Sequence, residues 1–142
     1  MSKPAATITD VQPADSNHNV LTITGGNGEH CKEPCQRCPW RKDAVGVFPA
    51  EAFRLSARTT YDMAQVTFSC HSRKTDRPAV CAGFLMVGAD HNLNVRLKHA
   101  RGEWLDVTDG GHKLFESYRA MAEANGVPAD DPALVPCRSK RD

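Results

Sequence analysis

Short apolar runs, separated by clusters of Gly, Pro, Asn and Asp, pattern this 142-residue chain. V-L-T-I-T at 20–24 alternates and is rich in β-branched side chains, which predicts a strand ended by G-G-N-G at 25–28. F-P-A-E-A-F-R-L-S-A-R at 48–58 predicts the first helix, with Pro49 in its first turn and Phe48, Phe53 and Leu55 on its apolar side. Q-V-T-F-S-C at 65–70 predicts a second strand that delivers Cys70 at its end. V-C-A-G-F-L-M-V-G at 80–88 is too short for periodicity to decide; a helix is favoured, continuing irregularly through N-L-N-V-R-L-K-H-A. Residues 109–126 carry the clearest helix signal, with Leu114, Tyr118 and Met121 at i, i+4 and i+7 and Asn125-Gly126 as a stop. Residues 1–19 read as a flexible arm around Q-P-A-D-S-N-H-N, and 127–142 as a Pro-rich, extended tail.

The length suits one domain, here expected over residues 20–126. Aromatic residues make up only 6%, so the core must lean on Val, Leu, Ala and Met. No run of 18 apolar residues is present, which argues against a membrane helix, and M-S-K-P-A-A-T-I-T-D has no apolar stretch of a secretory signal. The expected compartment is therefore the cytoplasm.

That expectation gives the six cysteines their meaning. In a reducing compartment, clustered thiols more often hold a metal or do redox chemistry than form stable disulfides. Cys35 and Cys38 form one C-x-x-C, Cys70 follows after thirty-one residues, and Cys81 after ten more. Four thiolates from three places can converge on one ion, so these four are the expected ligands, with Cys31 and His71 as possible members. The expected fold class is α+β: one small domain with irregular loops organised around this four-cysteine site. Cys137 lies far down the tail and reads as a free surface thiol. Ligand type does not separate Zn²⁺ from an iron–sulfur cluster. Zinc is preferred, although Pro39 after Cys38 is similar to ferredoxin cluster loops.

Three enzyme readings are weaker. Cys31, Cys35 and Cys38 have radical-SAM cluster spacing, but the chain is short for the barrel that chemistry uses. Pro34, Cys35 and Cys38 match half of a zinc-deaminase signature, but no H-x-E occurs anywhere in the chain. A thioredoxin-like dithiol, with Pro78 as its proline, would leave Cys70 and Cys81 without a role. No Walker loop, dinucleotide fingerprint or G-x-S-x-G appears.

Charge adds a possible partner. The net charge is +1, yet residues 30–101 hold twelve Lys and Arg against six Asp and Glu, while 102–137 hold two against seven. A basic surface of Arg37, Arg41, Lys42, Arg73, Lys74 and Arg77 would suit nucleic acid or an acidic host protein. Mutual neutralisation of the two halves is the plainer reading.

The motifs P-C-Q-R-C-P-W-R-K-D, G-V-F-P-A-E-A-F, F-S-C-H-S, C-A-G-F-L and H-N-L-N-V-R together carry a resemblance. The chain resembles, over roughly residues 20–126, a family of small uncharacterised proteins of bacteriophages, prophages and some actinobacteria and proteobacteria. The resemblance implies Cys35, Cys38, Cys70 and Cys81 as the shared cysteine set, and a phage-derived origin. A fainter similarity to the WhiB-like iron–sulfur regulators rests on C-x-x-C-P alone and lacks their G-V-W-G-G turn. The reading that results is a non-enzymatic zinc-binding module, with an iron–sulfur redox or sensor protein or a thiol oxidoreductase as alternatives.

Overall fold

The computed structural model describes residues 7–16, 18–24, 28–70 and 78–138, with the side chains of 22–24 left aside. It is a small mixed assembly of helices and short strands, as the α+β expectation requires. The expected arm contains a strand instead: β1 (Thr7–Pro13) pairs antiparallel with β2 (Asn19–Thr24), with an irregularity between Ile8 and Asp10. Its turn is closed by the Ala14 amide on the His18 carbonyl at 2.9 Å, with Asp15 bonded to the His18 ring at 2.9 Å. T-I-T-D-V is rich in β-branched residues, as β2 is, and two such runs five residues apart make a hairpin.

A second patch is smaller and sits deeper. β3 (Glu29–His30) runs parallel to β4 (Ala79–Val80), and Ser69 bridges Val80 antiparallel from the other side. The predicted strand 65–70 is thus mostly extended chain that meets β4 at a single bridge.

The first predicted helix forms as α1 (Ala50–Ser56), with Pro49 as its N-cap, and tightens into a 3₁₀ turn over Ala57–Thr60. The apolar run after β4 makes a π-helical turn at Phe84–Gly88, and α2 (Leu93–Ala100) follows. Asn92 caps α2 by accepting from the Val95 amide at 3.2 Å. Its amide nitrogen reaches the carbonyls of Val66 at 2.8 Å and Thr59 at 3.3 Å, so one buried side chain joins three segments.

The long helix expected at 109–126 shrinks to α3 (Tyr118–Ala124). Gly110 and Gly111 take φ of 62° and 82°, outside the helical region, and the Asp109 carboxylate bonds the Gly111 amide at 2.9 Å. Leu114 then pairs with Arg41 in an antiparallel bridge, and Ser117 caps α3 through the Ala120 amide at 3.1 Å. The stop is as read: Gly126 has φ of 99°, its amide bonds Glu123, and the Val127 amide returns to Ala122 at 3.0 Å, a Schellman closure.

Residues 127–138, expected as an extended tail, turn back onto the core. Leu134 and Cys137 are buried, and Cys137 pairs with Tyr61. Arg119 donates to the carbonyls of Leu134, Val135 and Cys137 at 3.1, 2.9 and 2.9 Å. The Tyr61 hydroxyl donates to Ala133 at 2.7 Å. Cys137 is therefore no surface thiol; its sulfur lies 3.8 Å from the Ala57 carbonyl. Trp40, Phe84, Tyr118, Met121 and Leu134 fill the centre of the core. Among the described residues no helix is long and apolar enough to cross a membrane.

Candidate metal centre

The knuckle is shaped by its own backbone. Pro34 and Pro39 flank the C-x-x-C and withdraw two amide donors, so the chain bends rather than joining a ladder. The Cys38 amide returns to the Cys35 carbonyl at 3.1 Å, and the Arg41 amide to the Cys38 carbonyl at 3.1 Å. These two successive turns aim the Trp40 amide at the Cys38 sulfur. An N–H directed at sulfur favours the thiolate that a metal needs.

β4 supplies the opposing wall. The Cys31 amide bonds the Val80 carbonyl at 2.9 Å, Cys70 bonds Ala79 at 2.8 Å, and Cys81 bonds Phe68 at 2.8 Å. In this register Cys31 follows the pair His30–Val80, and Cys70 and Phe68 flank the pair Ser69–Val80. Paired residues share a face and neighbours alternate. Cys31, Cys70, Cys81 and Phe68 thus project to one side, away from Val80. The fully buried Cys38 meets that side, its sulfur 3.5 Å from that of Cys81 across 43 residues of sequence.

Cys35 also hydrogen-bonds Cys38. Cys38 thus contacts both half-buried Cys35 and buried Cys81. Hydrogen bonds from Cys35 and then Cys81, followed by burial, push the ionisation of Cys38 far above that of an ordinary thiol; the Trp40 amide pulls the other way. Among the described residues no group of three or more Cys, His, Asp or Glu side chains is placed so that it could hold a metal ion. Cys70 is buried nearby on the shared face, and Cys31 is half-buried. His71, Arg73, Lys74 and Arg77 lie outside the described residues.

The remaining basic candidates differ in character. Arg41 is the most committed, with its guanidinium gripping Asp43 at 2.8 and 2.6 Å and donating to the Cys35 carbonyl at 3.2 Å. Asp43 first, and more weakly the Cys38 and Cys35 sulfurs, hold its pKa above the ordinary guanidinium value. It is thus a cation fixed beside the thiols. Arg37 lies 5.7 Å over the Phe48 ring, and Lys42 is exposed.

Trp40 is the fully buried keystone between the thiols and the π-helical turn. Gly83 and Gly88 leave room for the indole, and Phe68, Phe84 and Tyr118 surround it with ring centroids 5.6–6.4 Å away. The readable signal was the pair of glycines bracketing F-L-M-V. Behind the knuckle, β2 and α1 enclose a cleft of about 200 Å³, lined by Val20, Phe48, Phe53 and Phe68 and reaching Pro39 and Cys70.

No curated protein and no solved structure matches the chain. A family of unknown function, DUF6283, matches residues 30–138, which contain the knuckle, all six cysteines, the π-helical turn and the C-terminal closure, but not the β1–β2 hairpin. With most of its length inside that match, the chain belongs to this family.

Proposed function

We propose that the protein is a small, non-enzymatic metal-binding module in which Cys35, Cys38, Cys70 and Cys81 hold one ion, with zinc preferred. The observation that carries this reading is the 3.5 Å contact between the buried sulfurs of Cys38 and Cys81. A tetrahedral Zn²⁺ with bonds of about 2.3 Å sets neighbouring thiolates about 3.8 Å apart, so this pair needs little adjustment. Cys35 is already in contact with Cys38, and Cys70 projects from the same ladder face as Cys81. The donor set is all sulfur, with a backbone amide on one thiol and a fixed guanidinium nearby to offset negative charge. When bound, the ion would supply structural cross-linking of the knuckle to β4 rather than chemistry.

The exposed cations Arg37 and Lys42, beside the knuckle, support a docking role toward nucleic acid or an acidic protein. A phage setting, in a host cytoplasm, accords with the motifs quoted above. The same sulfurs suit an iron–sulfur cluster, which the buried aromatic shell of Trp40 and Phe68 would shield from water.

Anaerobic purification followed by elemental analysis and a visible absorption spectrum tests the reading. One zinc per chain and no colour is the expected result, and a brown protein containing iron and sulfide would replace zinc with a cluster. Cys38→Ser should lose the metal; a variant that keeps it removes Cys38 from the ligand set. Association with DNA or RNA should weaken as salt rises, and no binding at low salt would leave the acidic-protein partner.

A further inference from the structure

We propose that Cys35, Cys38 and Cys81 form an oxidation relay that carries a disulfide from the surface into the core. This activity goes beyond ion binding and does not require that an ion be held. It rests on three observations. The sulfurs are linked in sequence by contact, Cys35 to Cys38 to Cys81, with 3.5 Å between the last two. Solvent exposure falls along that order, since Cys35 is half-buried while Cys38 and Cys81 are 0% and 2% exposed. Arg41, held on the Cys35 carbonyl and clamped by Asp43, places a fixed positive charge at the outer end.

The oxidant is a peroxide. The Cys35 sulfur attacks one peroxide oxygen, the O–O bond breaks, and Cys35 becomes a sulfenic acid. The departing oxygen takes the thiol proton and leaves as water or an alcohol. The Cys38 sulfur then attacks the Cys35 sulfur; an S–S bond forms, the S–O bond breaks, and water leaves with the Cys38 proton. In the third step the Cys81 sulfur attacks Cys38, forming the inner disulfide and returning Cys35 as a thiol with the proton from Cys81. Two thiols have lost two electrons, and one peroxide has gained them. The relay can restart only when a thiol reductant reopens the inner bond.

The central position of Cys38 is what makes this a relay rather than a simple pair. It contacts both partners, so each exchange passes through it. The product differs from its precursor in kind. A Cys35–Cys38 bond closes a tight local loop, whereas a Cys38–Cys81 bond staples the knuckle to β4.

The test uses the full chain, reduced and freed of metal with a chelator, then given one equivalent of hydrogen peroxide. Samples are quenched with an alkylating agent over time, and the disulfides are located by peptide mass spectrometry. A Cys35–Cys38 link should appear first and a Cys38–Cys81 link should replace it, with two thiols lost per chain. Cys35→Ser should oxidise at least tenfold more slowly, and Cys81→Ser should stop at the outer link. The unsubstituted chain supplies a check that does not depend on the folding of either variant: Cys35 should be alkylated faster than Cys38 and Cys81. Equal alkylation rates, a final link between other cysteines or between chains, or undiminished oxidation of Cys35→Ser would each overturn the relay. An absence of metal in the purified protein sinks the ion-binding reading alone, and failure to form the inner link sinks this one alone.

Discussion

Trp40 and Gly83 are in contact so close that a Cβ built on Gly83 would lie 2.5 Å from the Cβ of Trp40. The obstructing atom belongs to the root of the indole side chain and cannot swing away without moving the knuckle backbone. At the other end of the π-helical turn, Gly88 faces the far edge of the same ring just as tightly. Gly83→Ala should therefore destabilise the protein by about 3 kcal/mol, the upper part of the range for overpacked cores. Urea unfolding followed by Trp fluorescence measures it. A midpoint equal to that of the parent would mean that Trp40 is not rigidly seated.

Metal removal should act on the same region. If the ion ties the knuckle to β4, a chelator added to the purified protein lowers the thermal midpoint, and a stoichiometric return of zinc restores it. Scanning calorimetry with and without the chelator gives the answer. An unchanged midpoint in protein shown to have lost its metal would assign the centre a role other than cross-linking.

The Arg54–Asp131 pair joins α1 to the C-terminal segment at 2.7 Å, with Arg54 also reaching Glu51 at 3.1 Å. The Arg54 hydrogen bond, then the Ala133 amide, lowers the Asp131 pKa below 3.8. A depressed carboxylate pKa contributes stability above 3.8 that disappears as pH falls through the folded value. Asp131→Asn should thus melt lower than the parent at pH 7, and the two curves should converge in strong acid. Parallel melting curves across the whole pH range would contradict this.

Alkaline solution should expose the opposite behaviour. Burial raises the pKa of Cys137 above 9.0 and of Tyr118 well above 10.0. Groups held neutral in the fold contribute fully below their unfolded values, and that contribution is lost as pH rises toward the folded ones. Stability should fall steadily from about pH 9 upward. Cys137→Ala should flatten the first part of that decline in a denaturant titration, and a decline as steep as in the parent would exclude Cys137 as its source.

Arg119 holds three carbonyls of the returning segment. Arg119→Ala should cost about 2 kcal/mol, as expected for charge-assisted hydrogen bonds. It should also open the chain around Leu134 to limited proteolysis. Protection equal to the parent's would show that burial of Leu134 and Cys137 alone holds the segment.

What the sequence made legible was local. Proline, apolar spacing and the terminal Asn-Gly were enough for α1 and for the end of α3, because those elements obey rules contained in a few consecutive residues. One expectation reached further: Cys38 and Cys81, expected to converge, lie with their sulfurs 3.5 Å apart across 43 residues. The stretch 109–117 misleads because Leu114 keeps helical step with Tyr118 and Met121 for another reason. Leu114 lies in an extended bridge to Arg41, while the other two face the core from α3. Cys137 misleads for a related reason. Pro-rich composition describes the conformation of a segment but not its destination, and the pocket it fills is built by Tyr61 and Thr60. The role of Trp40 depends on glycines more than forty residues away, a relationship that appears only in three dimensions.

The closure of residues 134–138 over Thr60 and Tyr61 bears on how the molecule is made. A ribosome delivers α1 long before it delivers Leu134 and Cys137, so a nascent chain has an open seam where those side chains will lie. Folding during synthesis can settle the knuckle and the π-helical turn, but the seam must wait for translation to pass position 138. In the cell this domain can be sealed only late, and a translation pause shortly before that point would present its unfinished core to chaperones and proteases.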